Sequence, residues 1–303
     1  MDTIFFLVQQ TWFFAIPLLV VALGGLFSER SGVINIALEG IMLIGALCGI
    51  GFIHIFNHAM PPQLLLLCAV LVAGAAGIVF SLFHAFAAIH MKADQVISGT
   101  ALNTFAPAFC IFIARTFQQT QQIQFENVFR IESVPVLGSI PIIGDLLFKN
   151  TYITTYIGLL FLVLAWVIIY KTRFGLRLRG VGLNEKAIQS AGVSVTKYKW
   201  ASLIITGVLA GAAGACLPLS GISMFTENMS AGKGFLAVSA ARIGKGDPFK
   251  AFFACLIFAF ADAVSVGLQS FNIPSQLVLM TPYIATVVVM CLTNLDQLKK
   301  NAV

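Results

Sequence analysis

Residues 5–27 read FFLVQQTWFFAIPLLVVALGGLF, a run without a charged side chain. As an α-helix, such a run is long enough to cross a hydrocarbon layer about 30 Å thick. It has no basic leader and no small-residue cleavage site, both of which a secretory signal would carry. We therefore interpret it as a membrane helix, and we expect the bilayer to organise the fold.

Similar runs continue along the chain of 303 residues, which is 59% hydrophobic and only 10% charged. Soluble domains carry about 25% charged residues, and the strands of membrane barrels alternate apolar with polar residues, so neither class fits. The predicted fold class is all-α, a polytopic helical protein of the cell membrane with about eight transmembrane helices, in a single domain over residues 1–303. The predicted spans lie near 5–27, 33–56, 63–89, 95–114, 151–170, 200–220, 251–270 and 276–294, with a short broken helix near 233–243.

The distribution of basic residues predicts the orientation. Residues 171–199 carry a net charge equal to the +6 of the whole chain, which indicates a cytoplasmic loop by the positive-inside rule. The other long polar segment, 115–150, is balanced in charge and is predicted to lie outside. If the piece near 233–243 crosses the membrane, the tail with Lys299 and Lys300 faces the cytoplasm. If it does not cross, the tail lies outside, which its charges disfavour.

The sequence lacks the motifs of a self-sufficient enzyme. It contains no Gly-x-x-x-x-Gly-Lys-Ser/Thr phosphate loop, so ATP would have to be hydrolysed on another chain. The six cysteines and four histidines are scattered without the spacing of metal ligands. We therefore expect no catalytic residues, no metal, no cofactor and no nucleic-acid partner for this chain, whose surroundings are membrane lipid.

The loop 171–199 contains the signals of a short helix. Asn184 can cap a helix that starts at Glu185, and Gly192 can end it in a left-handed turn. A face formed by Ala187, Ile188 and Ala191 would suit a groove on a partner protein. The alternative is a solvated loop that contains a stray helical turn.

Four polar residues are predicted inside the membrane. Asn35 and Glu39 are four residues apart and would share one face of a helix. A carboxylate at such a place should face the interior of the bundle or a wet cavity; alternatively Glu39 is hydrated near the interface or paired with Arg30. With Asn103 and Asp262, these residues are candidates for the lining of a translocation path, unless each satisfies a neighbouring helix instead.

Several of these segments together resemble a known family. The matching residues are 29–40, 175–184 continued by Ala187, 191–193 and Lys197, 207–215, and 232–238. The sequence resembles the permeases of the branched-chain amino acid and simple-sugar ABC importer superfamily. It is most similar to nucleoside-type permeases that work with a basic-membrane-lipoprotein binding subunit. Arg242 departs from the family pattern, which places an aliphatic residue there. It either contacts an anionic group of the solute or extends to the interface.

The resemblance implies a function and a set of partners. The helix near 184–191 would be the coupling helix that docks on a separate ATPase subunit, which would hold ATP and Mg²⁺. The outer segment 115–150 would help to receive the extracytoplasmic substrate-binding lipoprotein, and a second, longer permease of the same family would complete the path. The implied cargo is nucleosides, with simple sugars, riboflavin or amino acids as alternatives. An ion-coupled secondary transporter, or a membrane scaffold or enzyme, is the remaining alternative.

Overall fold

The structure is a computed structural model, and it describes residues 2–57, 59–133, 149–220, 223–226, 229–268, 280–289 and 291. The helices are α1 Asp2–Arg30, α2 Leu38–Phe56, α3 Pro62–Ile89, α4 Gln95–Gln118, α5 Ile153–Lys171, α6 Arg173–Leu183, α7 Glu185–Ser190, α8 Val195–Cys216, α9 Lys233–Ile243, α10 Pro248–Leu268 and α11, residues 281–289. Short strands are β1 Ile123–Gln124, β2 Ile131–Ser133, β3 Lys149–Thr151 and β4 Met224–Phe225.

The all-α polytopic fold is confirmed. In the part of the chain that the structure describes, seven helices are long and apolar enough to cross a membrane, namely α1 to α5, α8 and α10. The predicted eighth span, 276–294, lies partly outside the described residues, and its described part contains α11. Most of the outer segment that follows β2 also lies outside them, so the single domain over 1–303 stays a prediction.

Helices α2, α3 and α8 pack closely through glycines. A Cβ atom on Gly207 of α8 would lie 2.7 Å from the carbonyl oxygen of Gly77 in α3, and one on Gly49 of α2 would lie 2.8 Å from the Cβ of Ala215. Helices in lipid associate largely through such close van der Waals contact, which small residues permit. The glycine pattern therefore fixes how the centre of the bundle packs.

The segment between β4 and α10 runs from one end of the bundle to the other. β4 pairs with β1, which follows the end of α4, through Ile123 and Phe225. At the opposite end, the Arg30 guanidinium donates to the carbonyl oxygens of Lys245 and Gly246 at 3.1 and 3.3 Å. Because α9 has 11 residues, it covers only about 16 Å of this passage. That this broken helix crosses the membrane stays a prediction.

Candidate functional site

Helix α2 starts inside the bundle. Asn103, in the third turn of α4, donates to the carbonyl oxygen of Ile36 at 2.8 Å and accepts from the amide of Gly40 at 2.8 Å. These two bonds place the first turn of α2 about 12 Å from the start of α4. Residues 33–36 belong to no helix or strand, and they lead from the end of α1 to this point.

The predicted shared helix face of Asn35 and Glu39 is therefore wrong. α1 ends at Arg30, Gly32 adopts a left-handed φ of 81°, and α2 does not begin before Leu38. Side chains of other helices stabilise this non-helical segment; Gln95 of α4, for example, accepts from the Ile34 amide at 2.7 Å. Sequence spacing alone could not detect contacts from another helix.

Glu39 joins the starts of two helices. Its carboxylate is buried, with 7% of the residue exposed, and it accepts from the backbone amides of Gly232 at 2.8 Å and Gly234 at 2.5 Å. The first amides of a helix have no partner within the helix, so the carboxylate satisfies groups that would otherwise be unpaired at the start of α9. The predicted interior position of Glu39 is correct. The alternative pairing with Arg30 is wrong, because the Arg30 guanidinium instead donates to the carbonyl oxygens of Lys245 and Gly246.

Asn35 and Asn103 also contact backbone. The side-chain oxygen of Asn35 accepts from the Ala37 amide at 3.0 Å, and Asn103 uses both ends of its amide on the 36–40 segment. These two residues and Glu39 therefore hold the broken helices in place. Solute contact by any of the three stays a prediction.

Asp262 lies in a different environment, beside a cavity. Its carboxylate is 3.5 Å from the ammonium of Lys233, and the two side chains are 15% and 17% exposed. The adjoining cavity has a volume of about 330 Å³ and is lined by Ala231, Gly232, Lys233, Leu236, Asp262, Pro282 and Tyr283. Lys233 was missed as a candidate. The signal for it was available, since it is a charged residue at the start of a short apolar helix.

Tyr283 closes one side of this cavity. Its hydroxyl donates to the carbonyl oxygen of Ala231, and its ring packs on Gly232, where a Cβ atom would lie 3.4 Å from the ring. Gly232 has a φ of 76°, a left-handed conformation that suits glycine. The contact therefore ties α11 to the start of α9 at the cavity.

The coupling-helix segment forms as predicted, one residue shorter. The Asn184 side chain accepts from the Ala187 amide at 3.1 Å, α7 covers Glu185–Ser190, and Gly192 has a φ of 76°. Glu185 also pairs with Lys199 of α8 at 2.5 Å.

The predicted apolar face of α7 is divided. Ile188 is only partly exposed because its side chain points at Gly180 of α6, where a Cβ atom would lie 2.6 Å from the Ile188 Cδ1. Ala187 and Ala191 are exposed. The apolar part of the exposed surface of α7 is therefore formed by the two alanines, whereas Ile188 anchors α7 to its own chain.

A second cavity lies at the end of the bundle where α2 ends and β1 follows α4. It has a volume of about 610 Å³ and is lined by His54, Ile55, Asn57, Ala59, Gln124, Phe125 and Glu126. His54 contacts β1 at the rim of this cavity, since a ring nitrogen lies 3.1 Å from the carbonyl oxygen of Gln124.

Arg242 lines neither of these two cavities. It is exposed near the end of α9, where it borders a small recess with Glu29 and Asn35.

Comparison with known proteins gives the family of this chain. The family described as "Branched-chain amino acid transport system / permease component" matches residues 7–292. The chain belongs to this family. The permease is thus the membrane subunit of an ABC transporter and a transport protein, as the resemblance implied.

Two relatives cover nearly all of the permease. It is 35% identical to the nucleoside ABC transporter permease protein NupC of Lactococcus lactis, over 96% of this chain and 93% of NupC. It is 38% identical to the guanosine ABC transporter permease protein NupQ of Bacillus subtilis, over 93% of this chain and 89% of NupQ. Both alignments extend over nearly the whole chain.

The fold itself has a counterpart among solved structures. PsaBC from Streptococcus pneumoniae in complex with Fab aligns over 94% of the permease and 90% of the matched chain, with a TM-score of 0.50 and 14% identity. At that identity the comparison concerns the fold alone.

Proposed function

We propose that the permease translocates nucleosides into the cell as part of an ATP-driven importer. The observation that carries this proposal is the similarity, over nearly the full length of each chain, to two permeases named for nucleosides and guanosine. The cavity beside Lys233 and Asp262 supports it, because a polar solute needs polar partners along a path through the membrane.

Energy would enter through α7. A separate ATPase subunit, which would hold ATP and Mg²⁺, receives the exposed face of Ala187 and Ala191 in this proposal. Gly180 of α6 packs against Ile188, so α6 and α7 would move together. α6 also touches the segment that leads to α2, since a Cβ atom on Gly32 would lie 3.4 Å from the Cα of Gly182. A displacement of α7 therefore has a short steric route to the broken helices.

Two further partners complete the transporter in this proposal. The cavity beside His54 and β1 lies at the end of the bundle that the charges assign to the outside, where a substrate-binding lipoprotein would deliver the solute. A second, longer permease of the same family would form the other wall of the path. The solute passes unchanged, by alternating access, so the chain performs transport without chemistry.

Uptake by living cells tests the proposal. Cells without the permease, and the same cells with it restored, are given labelled nucleosides, with labelled simple sugars and riboflavin as comparison solutes. Restoration of nucleoside uptake alone is the expected result. Nucleoside uptake that is equal with and without the permease, together with loss of another solute, would reject the nucleoside cargo.

A further inference from the structure

The pair Lys233 and Asp262 lies deep within the bundle. Lys233 is the first residue of α9, about 15 Å from the end of that helix at Ile243. Asp262 follows the start of α10 by roughly 21 Å of helix. Ionisable groups at such depth are costly in a membrane protein and are usually retained for function.

The pair leaves hydrogen-bonding capacity unused. The separation of 3.5 Å is long for a charge-assisted hydrogen bond. The Lys233 ammonium also lies over the ring of Phe14, 5.6 Å from its centre. In the part of the chain that the structure describes, Asp262 has no other hydrogen-bond or ion-pair partner. An ammonium has three donors and a carboxylate has about four acceptor sites, so several remain for a ligand.

The surrounding cavity has the size and lining of a small-molecule site. Its volume of about 330 Å³ lies at the lower end of the range of ligand pockets, roughly 300–1,000 Å³. Leu236, Pro282 and the ring of Tyr283 form apolar walls, and the two charges supply the polar groups. Aromatic side chains of this kind stack on the faces of nucleobases.

The two charges select the chemistry of the ligand. A charged solute would bind one member of the pair and leave the other unpaired in a place with little water, which is unfavourable. An uncharged solute avoids this cost if one edge carries an acceptor for Lys233 beside donors for Asp262. The guanine base has such an edge, a carbonyl oxygen followed by two N–H groups. Adenine offers only one donor beside its ring acceptor, a pattern that matches asparagine rather than aspartate.

We propose that Lys233 and Asp262 form a solute subsite for the edge of an uncharged oxopurine nucleoside. Asp262 accepts from the two N–H groups, Lys233 donates to the carbonyl oxygen, and Tyr283 packs against the face of the base. This proposal rests on the proposed function, since it assumes that nucleosides are the cargo.

The test compares maximal uptake rates at saturating solute, because a fully loaded binding lipoprotein no longer contributes its own preference. The intact transporter is measured with guanosine, inosine and adenosine. The wild type is expected to transport guanosine fastest, and Asp262→Asn is expected to lower the ratio of guanosine to adenosine rates about tenfold, as the loss of one hydrogen bond to a charged group would. Inosine, which lacks the second donor, should change less.

A matched control and a second set of variants keep the result interpretable. Asp94→Asn neutralises an exposed carboxylate that caps α4 and should leave the ratio unchanged. If Asp262→Asn does not reach the membrane, Asp262→Glu and Lys233→Arg keep both charges and should still shift the ratio. An equal reduction for all three nucleosides in these variants, or no preference in the wild type, would overturn the subsite. Failure of the proposed function can be told apart from these two outcomes, because the wild type would then transport no nucleoside.

Discussion

The Glu39 carboxylate accepts a hydrogen bond from the amide of Gly234 at 2.5 Å across a sequence separation of 195 residues. Glu39 lies in the first turn of α2 and Gly234 in the first turn of α9. The two helices therefore begin at a common point inside the bundle, and one carboxylate holds both. The cavity beside Lys233 opens next to this junction.

Replacement of Glu39 should loosen the junction. Glu39→Ala leaves two amides at the start of α9, one buried and one partly buried, without their acceptor, which should lower the free energy of unfolding by roughly 2–4 kcal/mol. Glu39→Gln keeps one acceptor oxygen and should cost less. The measurement is the thermal unfolding midpoint in detergent, with the exposed Glu126→Gln as control. Equal midpoints for Glu39→Ala and the wild type would contradict the bonding seen here.

Asn103 should contribute to both uptake and stability. Asn103→Ala frees the amide of Gly40 and the carbonyl of Ile36, so α2 loses these two hydrogen bonds to α4. We expect slower nucleoside uptake together with a lower unfolding midpoint, and Asn103→Asp, which keeps the acceptor, should be intermediate. The control is Thr104→Ala, an exposed neighbour whose hydroxyl bonds only within α4. Unchanged uptake at equal membrane abundance would remove Asn103 from the functional residues.

The glycine contacts between α3 and α8 should not tolerate side chains. Gly211→Val places atoms against the backbone of Ala73 and Gly77, so the helices must separate. We expect an unfolding penalty of about 1–3 kcal/mol or more and lower membrane abundance. Gly51→Val provides the comparison, since nothing lies within 4 Å of a Cβ atom there. If both variants reach the membrane equally, the close packing of these helices is not required.

Bulky residues on the exposed face of α7 should uncouple transport from ATP. Ala187→Trp and Ala191→Trp alter the exposed surface that we propose receives the ATPase, without touching the membrane helices. We expect normal membrane abundance, loss of ATPase co-purification and at least tenfold slower uptake. Gln189→Trp, on the opposite side of α7, adds the same bulk and should be tolerated. Retained ATPase binding and uptake in both alanine variants would refute the role of this face.

The part of the fold that depends on local chemistry could be predicted from the sequence. The apolar runs gave the membrane helices, because only a helix of about 20 residues satisfies its backbone across a bilayer. The cap at Asn184 and the turn at Gly192 gave α7, because both act within a few residues. The orientation that the basic residues indicate stays a prediction.

Tertiary structure alone decided the junction and the cavity. The sequence predicted a helix through Asn35, but side chains of α4 bind the non-helical backbone of residues 33–36, and α2 begins only at Leu38. The sequence predicted Asp262 as a candidate site residue but did not indicate its partner Lys233. The Lys233 ammonium approaches the Asp262 carboxylate only when α9 and α10 pack against each other. The periodicity of apolar residues in the sequence indicates which residues belong to the same helix. The close contact of two elements far apart in the chain, such as those of Glu39 and Gly234, depends on packing that no single segment encodes.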